Sequence, residues 1–145
     1  MLGKSLSKNL SAYFSTLSGL SGTSIYLHDS NQERLLPNIT IGFESEEMSF
    51  KGGYGHYTVK GFTNVTFQGY EDRDNTSADQ IADILVSALG SDSLYTYVNA
   101  PTGTDSRPAK NFCLNALFIR SVNREEDGLS TLINISYDAF TAAKD

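Results

Sequence analysis

The sequence predicts an α+β domain, and three features carry that reading. Apolar residues recur at helical spacing near the N-terminus. A long β-rich run, Tyr57–Tyr70, breaks at the charged turn Glu71–Asn75 and passes at once into a capped helix, Ser77–Leu89. Two strand-like runs close the chain around Asp127-Gly128, the dipeptide of an antiparallel hairpin. The 145 residues fit one domain, 1–145, long enough to bury about two-thirds of its unfolded surface. Apolar residues at 39% supply a core, and charged residues at 19% are too few for a disordered chain.

The first helix is expected from about Ser5 to Ser18. Leu2, Leu6, Leu10, Tyr13, Phe14 and Leu17 make one apolar stripe, and Gly19 and Gly22 supply stop signals. Its many serines make it weak alone, so it must dock, and a sheet is the natural partner. Ser24–His28 alternates, with Ile25 and Leu27 on one face, and after Pro37 the run Asn38–Phe43 places Ile39, Ile41 and Phe43 together. An acidic loop, Glu44–Glu47, and the glycine-rich Lys51–Gly55 then reverse the chain into the long run. A single straight strand from Tyr57 to Tyr70 would span roughly 45 Å, so Gly61 is read as a bulge or bend.

Ser77-Ala-Asp-Gln80 has the spacing of a capping box, Asp79 sits at the positive helix end, and Gly90 takes the C-cap position. Ile81, Ile84, Leu85, Ala88 and Leu89 form its buried face. Leu94–Val98 reads as a short strand and 99–111 as a long loop, with two prolines, a glycine and small polar residues. The closing hairpin pairs Phe112–Val122 with Leu129–Phe140 across Asn123–Gly128, and Ile133, Ile135 and Tyr137 share a face.

Little in the chain marks a reaction centre. His28 and His56 have no ligand partner at metal spacing, and His28-Asp29 reads as a pair of surface polar neighbours. Gly52-Gly-Tyr-Gly55 lacks the Lys-Ser/Thr of a phosphate loop and leads into a strand. Ser18–Gly22 puts Leu20 where a nucleophile elbow needs serine. The acidic clusters Glu44–Glu47, Asp72/Asp74 and Glu125–Asp127 lack the ligand order of a calcium loop and read as solvated turns. The only cysteine, Cys113, lies in an apolar run and reads as a small buried hydrophobe. No catalytic residue, metal or cofactor is expected. A net charge of −6, with eleven scattered Lys and Arg, argues against a nucleic-acid-gripping surface. No run is long enough to span a bilayer, the start lacks a signal peptide's apolar core, and a reducing cytoplasm is expected.

The whole chain resembles the tail terminator (tail completion) proteins of long-tailed bacteriophages. The resemblance is carried by an order of parts. An N-terminal amphipathic helix precedes the Ile25-Tyr-Leu27 strand and Leu36-Pro-Asn-Ile-Thr-Ile41. Val65–Asp74 then runs into Ala78–Leu89, and the hairpin Asp127–Phe140 closes the chain. The long 99–111 segment departs from the family, whose members are often shorter there. The resemblance implies a mixed, mainly antiparallel sheet with two helices packed on it. It also implies a structural virion protein of the tail or neck, assembled in the host cytoplasm as a homo-oligomeric ring, usually sixfold. Such a ring would cap the tail tube, end its polymerisation and dock a head–tail connector, its partners being itself, the tube protein and the connector. DNA would pass through the lumen without specific binding. Interface contacts are expected in the Glu44–Gly55 segment and the 99–111 loop: Glu44, Glu46, Glu47, Tyr54, Asp105, Arg107 and Lys110. The alternatives are another head–tail connector or neck protein, and a small monomeric or dimeric protein-binding module.

Overall fold

Residues in the computed structural model are described over 2–51, 54–68, 78–100, 112–127 and 130–143. In chain order they form α1 (Leu2–Ser15), a 3-10 turn (Ser18–Leu20), β1 (Ser24–Leu27), β2 (Asn38–Lys51), β3 (Tyr54–Gln68), α2 (Ala78–Leu89), α3 (Asp92–Asn99), β4 (Phe112–Asp127) and β5 (Ser130–Ala143). The strands make one five-stranded sheet in the order β1-β2-β3-β5-β4. Only β1 and β2 are parallel; the other three pairings are antiparallel. The fold is therefore α+β with a mixed, mainly antiparallel sheet, as expected, but three α-helices accompany it rather than two.

One sheet face carries the core. Ile39 and Ile41 of β2, Val59, Val65 and Phe67 of β3, and Ile133, Ile135, Tyr137 and Ala139 of β5 are all buried. Against them lie Leu2, Leu6, Leu10, Tyr13 and Phe14 of α1, and Ile81, Leu85, Ala88 and Leu89 of α2. Each helix stripe read from the sequence is thus the docked face. Two polar residues of α1 that are also buried turn their side chains back on the helix: Ser7 Oγ donates to the Gly3 carbonyl and Asn9 Nδ2 to that of Ser5, both at 2.9 Å. The helix lies so close to the sheet that a Cβ on Gly3 would stand 2.8 Å from the Phe43 ring.

Three expectations are corrected. Leu94–Val98 lies within helix α3, because Leu94 and Val98, four residues apart, both enter the core and Asp92 favours the helix start. Glu44–Glu47 belongs to β2, which runs unbroken in secondary structure to Lys51 and pairs there with Tyr54, so the expected reversal follows later. Gly61 is no bulge in β3: β3 and β5 stay in register through Gly61 and Tyr137, and the extra residue is Glu44 on β2. Gly61 is small because the Tyr137 ring lies over it, and a Cβ there would come within 2.5 Å of that ring. Gly90 takes the position expected of it, directly after α2, without a positive φ, and its N–H bonds the Val86 carbonyl at 3.2 Å. Ser77, the 71–75 turn and most of the 99–111 segment lie outside the described residues, while the closing hairpin is present with longer strands than expected.

Candidate subunit interface

The borders of the sheet, rather than any pocket, present groups that a second chain can use. β1 is only four residues long and pairs with Asn38–Ile41, so among the described residues β2 from Gly42 onward has no strand on that side. β4 is the border on the opposite side, sixteen residues long and paired only with β5. Long unpaired edges are templates for another strand, and folded proteins cover or blunt those they do not use.

Both treatments occur on β4. Near its start, α3 supplies what a neighbouring strand would. Asn99 Nδ2 donates to the Leu114 carbonyl and Asn99 Oδ1 accepts from the Leu114 N–H, both at 2.8 Å. The Leu117 N–H donates to the Tyr95 hydroxyl, also at 2.8 Å. A primary amide offers one donor and one acceptor in a plane, so Asn99 reproduces the hydrogen bonding of one peptide unit. Bulges at Asn115 and Arg120 further interrupt the border. From Phe118 onward no such cover is present among the described residues, and Phe118 and Val122 are 62% and 49% exposed. Phe118 stands edge-on to Phe140 on the sheet face away from the helices, ring centroids 6.0 Å apart.

The residues singled out from sequence divide into four groups. Glu44 is the bulge residue of β2, and it and Glu47 are exposed along the free stretch. Glu46 faces inward: its two carboxylate oxygens accept from the Leu2 N–H at 3.4 Å and the Gly3 N–H at 2.9 Å. The bulge at Glu44 shifts the alternation so that Glu46 lies on the helix side, where a negative charge meets the positive end of α1. Tyr54 opens β3 opposite Lys51. Asp105, Arg107 and Lys110 lie outside the described residues.

Sequence reasoning missed Asn99, Tyr95, Arg120 and Arg124. The first two were hidden by reading α3 as a strand. Arg124 forks between Asp79 in the first turn of α2 and Glu126, at 2.8 Å from the latter, pinning that helix to β4. Its guanidinium is held even further above physiological pH than usual, first by the Glu126 hydrogen bond and then by Asp79.

The chemistry expected to be absent can be checked residue by residue. His28 packs edge-on against Phe62 at 5.2 Å, and the neighbouring Asp29 pairs with Lys4 at 3.6 Å instead of orienting the imidazole. A cleft of about 230 Å³ opens beside them, lined mostly by apolar groups, and its Ser7 hydroxyl is committed to the Gly3 carbonyl. Among the described residues, no group of three or more His, Cys, Asp and Glu is placed to hold a metal ion. Cys113 is a half-buried free thiol. No described helix is long and apolar enough to cross a membrane.

The sequence matches no family model and none of the curated proteins. Among solved structures, the chain is similar to one from the virion of a native gene transfer agent particle, with a TM-score of 0.52 and 14% identity. The likeness covers 93% of this chain and 94% of that one. At that identity what the two share is the fold, along nearly their whole lengths.

Proposed function

We propose that this chain is a structural virion protein of the tail terminator kind. Copies join into a ring, six in number, that closes the finished tail tube, stops further subunits from adding and presents its other face to the head–tail connector. The observation that carries the reading is the near end-to-end fold similarity to a gene transfer agent virion chain. The narrower assignment to the terminator rests on the order of helix, strands, helix and hairpin along the sequence.

The mechanism is steric. A chain whose two sheet borders differ can give one to each of two neighbours, and such head-to-tail contacts close into a ring when the rotation allows. The β1/β2 border and the open half of β4 are two such borders, on opposite sides of one sheet. No bond is made or broken in the substrate sense; the protein acts by presenting one surface that fits the tube and another that does not.

The test is genetic and structural. Particles made without this protein are expected to carry tails of irregular length that fail to join heads, and adding the purified protein should restore joining. Imaging of intact particles should place it at the neck. Tails of normal length joined to heads in its absence would overturn the assignment.

A further inference from the structure

We infer that the ring contact is an edge-to-edge sheet junction in which Arg120 of one copy meets Glu44 of the next; the inference rests on the ring reading above. It follows from which parts of each border are open and at what height. The Asn99 and Tyr95 bonds close the start of β4, leaving Phe118–Asp127 as its usable stretch. On the other side, the usable stretch is β1 and the first residues of β2 beyond it.

The registers set these two stretches level. Leu27 pairs with Ile41, Ile41 with Thr63, Thr63 with Ile135, and Ile135 with Val122. Ser24 reaches Glu125 by the same route, through Asn38, Thr66 and Leu132. All four residues of β1 therefore lie at the height of 122–125 on the far border. The directions also suit: β1 runs with β2, β3 against it, β5 with it and β4 against it. Copies set side by side with strands along the ring axis bring β4 antiparallel to β1, the pairing that hydrogen-bonds most favourably.

The two bulges mark the step above β1. Phe43 reaches Ile119 through Gly61 and Tyr137, and the extra residues flank that level on opposite borders, Glu44 on the side toward Ser45 and Arg120 on the side toward Ser121, about one residue step apart. Both are exposed and opposite in charge. Among the described residues, Arg120 has only a loose ion-pair partner, Asp138 at 3.8 Å, and Glu44 has none. Side by side, one copy's guanidinium lies about one residue step, roughly 3.4 Å, along the border from the next copy's carboxylate, an offset an arginine side chain spans, and a slip that widens it separates them. A β2-to-β2 contact would instead set glutamates together, which charge disfavours. Above the step, α3 of one copy falls where β1 stops short beside β2 of the next. The exposed Phe118 and Val122 lie on the joining stretch, where burial is favourable.

The experiment measures assembly mass by light scattering and sedimentation for the wild type, Glu44→Arg, Arg120→Glu and the double exchange. Both sites are exposed, and circular dichroism checks the fold of each variant. The wild type should assemble, each single reversal should weaken every junction by about tenfold or more, and the double exchange should restore assembly. Mixing the two single variants should also restore it, because alternating copies again oppose unlike charges. If the wild type assembles and the single reversals do so equally well, or the double exchange stays apart, the junction is wrong while the ring reading stands. If the wild type remains a monomer up to about millimolar concentration, both are overturned.

Discussion

At the scale of single residues, tertiary contacts decide several positions that the sequence leaves mute. Glu46 is one of three near-neighbour glutamates, and only the bulge beside it sends it inward to the α1 amides. Gly61 looks like a break in a strand, yet its small size makes room for a phenol two strands along in sequence order. That phenol, Tyr137, is fully buried, and its pKa is raised well above the ordinary value near 10 mainly by loss of hydration. The linkage has a definite sign. A group whose folded pKa is raised stabilises the native state below the unfolded pKa and loses that contribution as pH climbs through the folded one. Above about pH 10 the unfolded chain releases this proton while the native chain keeps it, so unfolding becomes easier with each further step in pH. Urea unfolding from pH 9 to 11.5 should show the wild type losing up to about 1.4 kcal/mol per pH unit more than Tyr137→Phe. Parallel losses in the two proteins would show that the phenol does not titrate differently on folding.

At the scale of elements, periodicity made most of the fold legible. The stripes of α1 and α2 and the alternation in β2, β3 and β5 each correspond to the face that is buried. What failed was shorter than one clear period. Leu94-Tyr-Thr-Tyr-Val98 is rich in β-favouring side chains, and five residues cannot separate alternation from the four-residue spacing of Leu94 and Val98. Losing that helix also hid the border it protects, since Asn99 gains its role only when Leu114 is brought beside it. Replacing Asn99 by Ala strips both the donor and the acceptor from Leu114, a cost of about 1–3 kcal/mol if the backbone groups stay dry. Chemical denaturation should show that loss, and amide exchange should show reduced protection at Leu114 while Ile135, in the sheet interior, changes only with global stability. A variant as stable as the wild type with Leu114 still protected would mean that α3 merely lies near β4 without closing it.

For the whole molecule, charge says most about what the assembly does with DNA. The order of elements was legible; the proposed junction was less so, because Arg120, which it sets against Glu44, sits in a strand whose bulge no local signal announces. Six copies at −6 each would carry −36, and two of the described basic groups are committed within the chain, Lys4 to Asp29 and Arg124 to Asp79 and Glu126. A ring so charged would repel the phosphate backbone, which would suit the proposed passage of DNA, because every phosphate gripped would be a counterion released and a barrier to sliding. The assembled protein at about 10 μM should therefore leave a duplex unshifted at about 50 mM salt, with no steep dependence on added salt. Retention of the duplex with a log–log salt slope steeper than about −2 would mean that basic groups converge on the lumen, and the repelling wall would have to be abandoned.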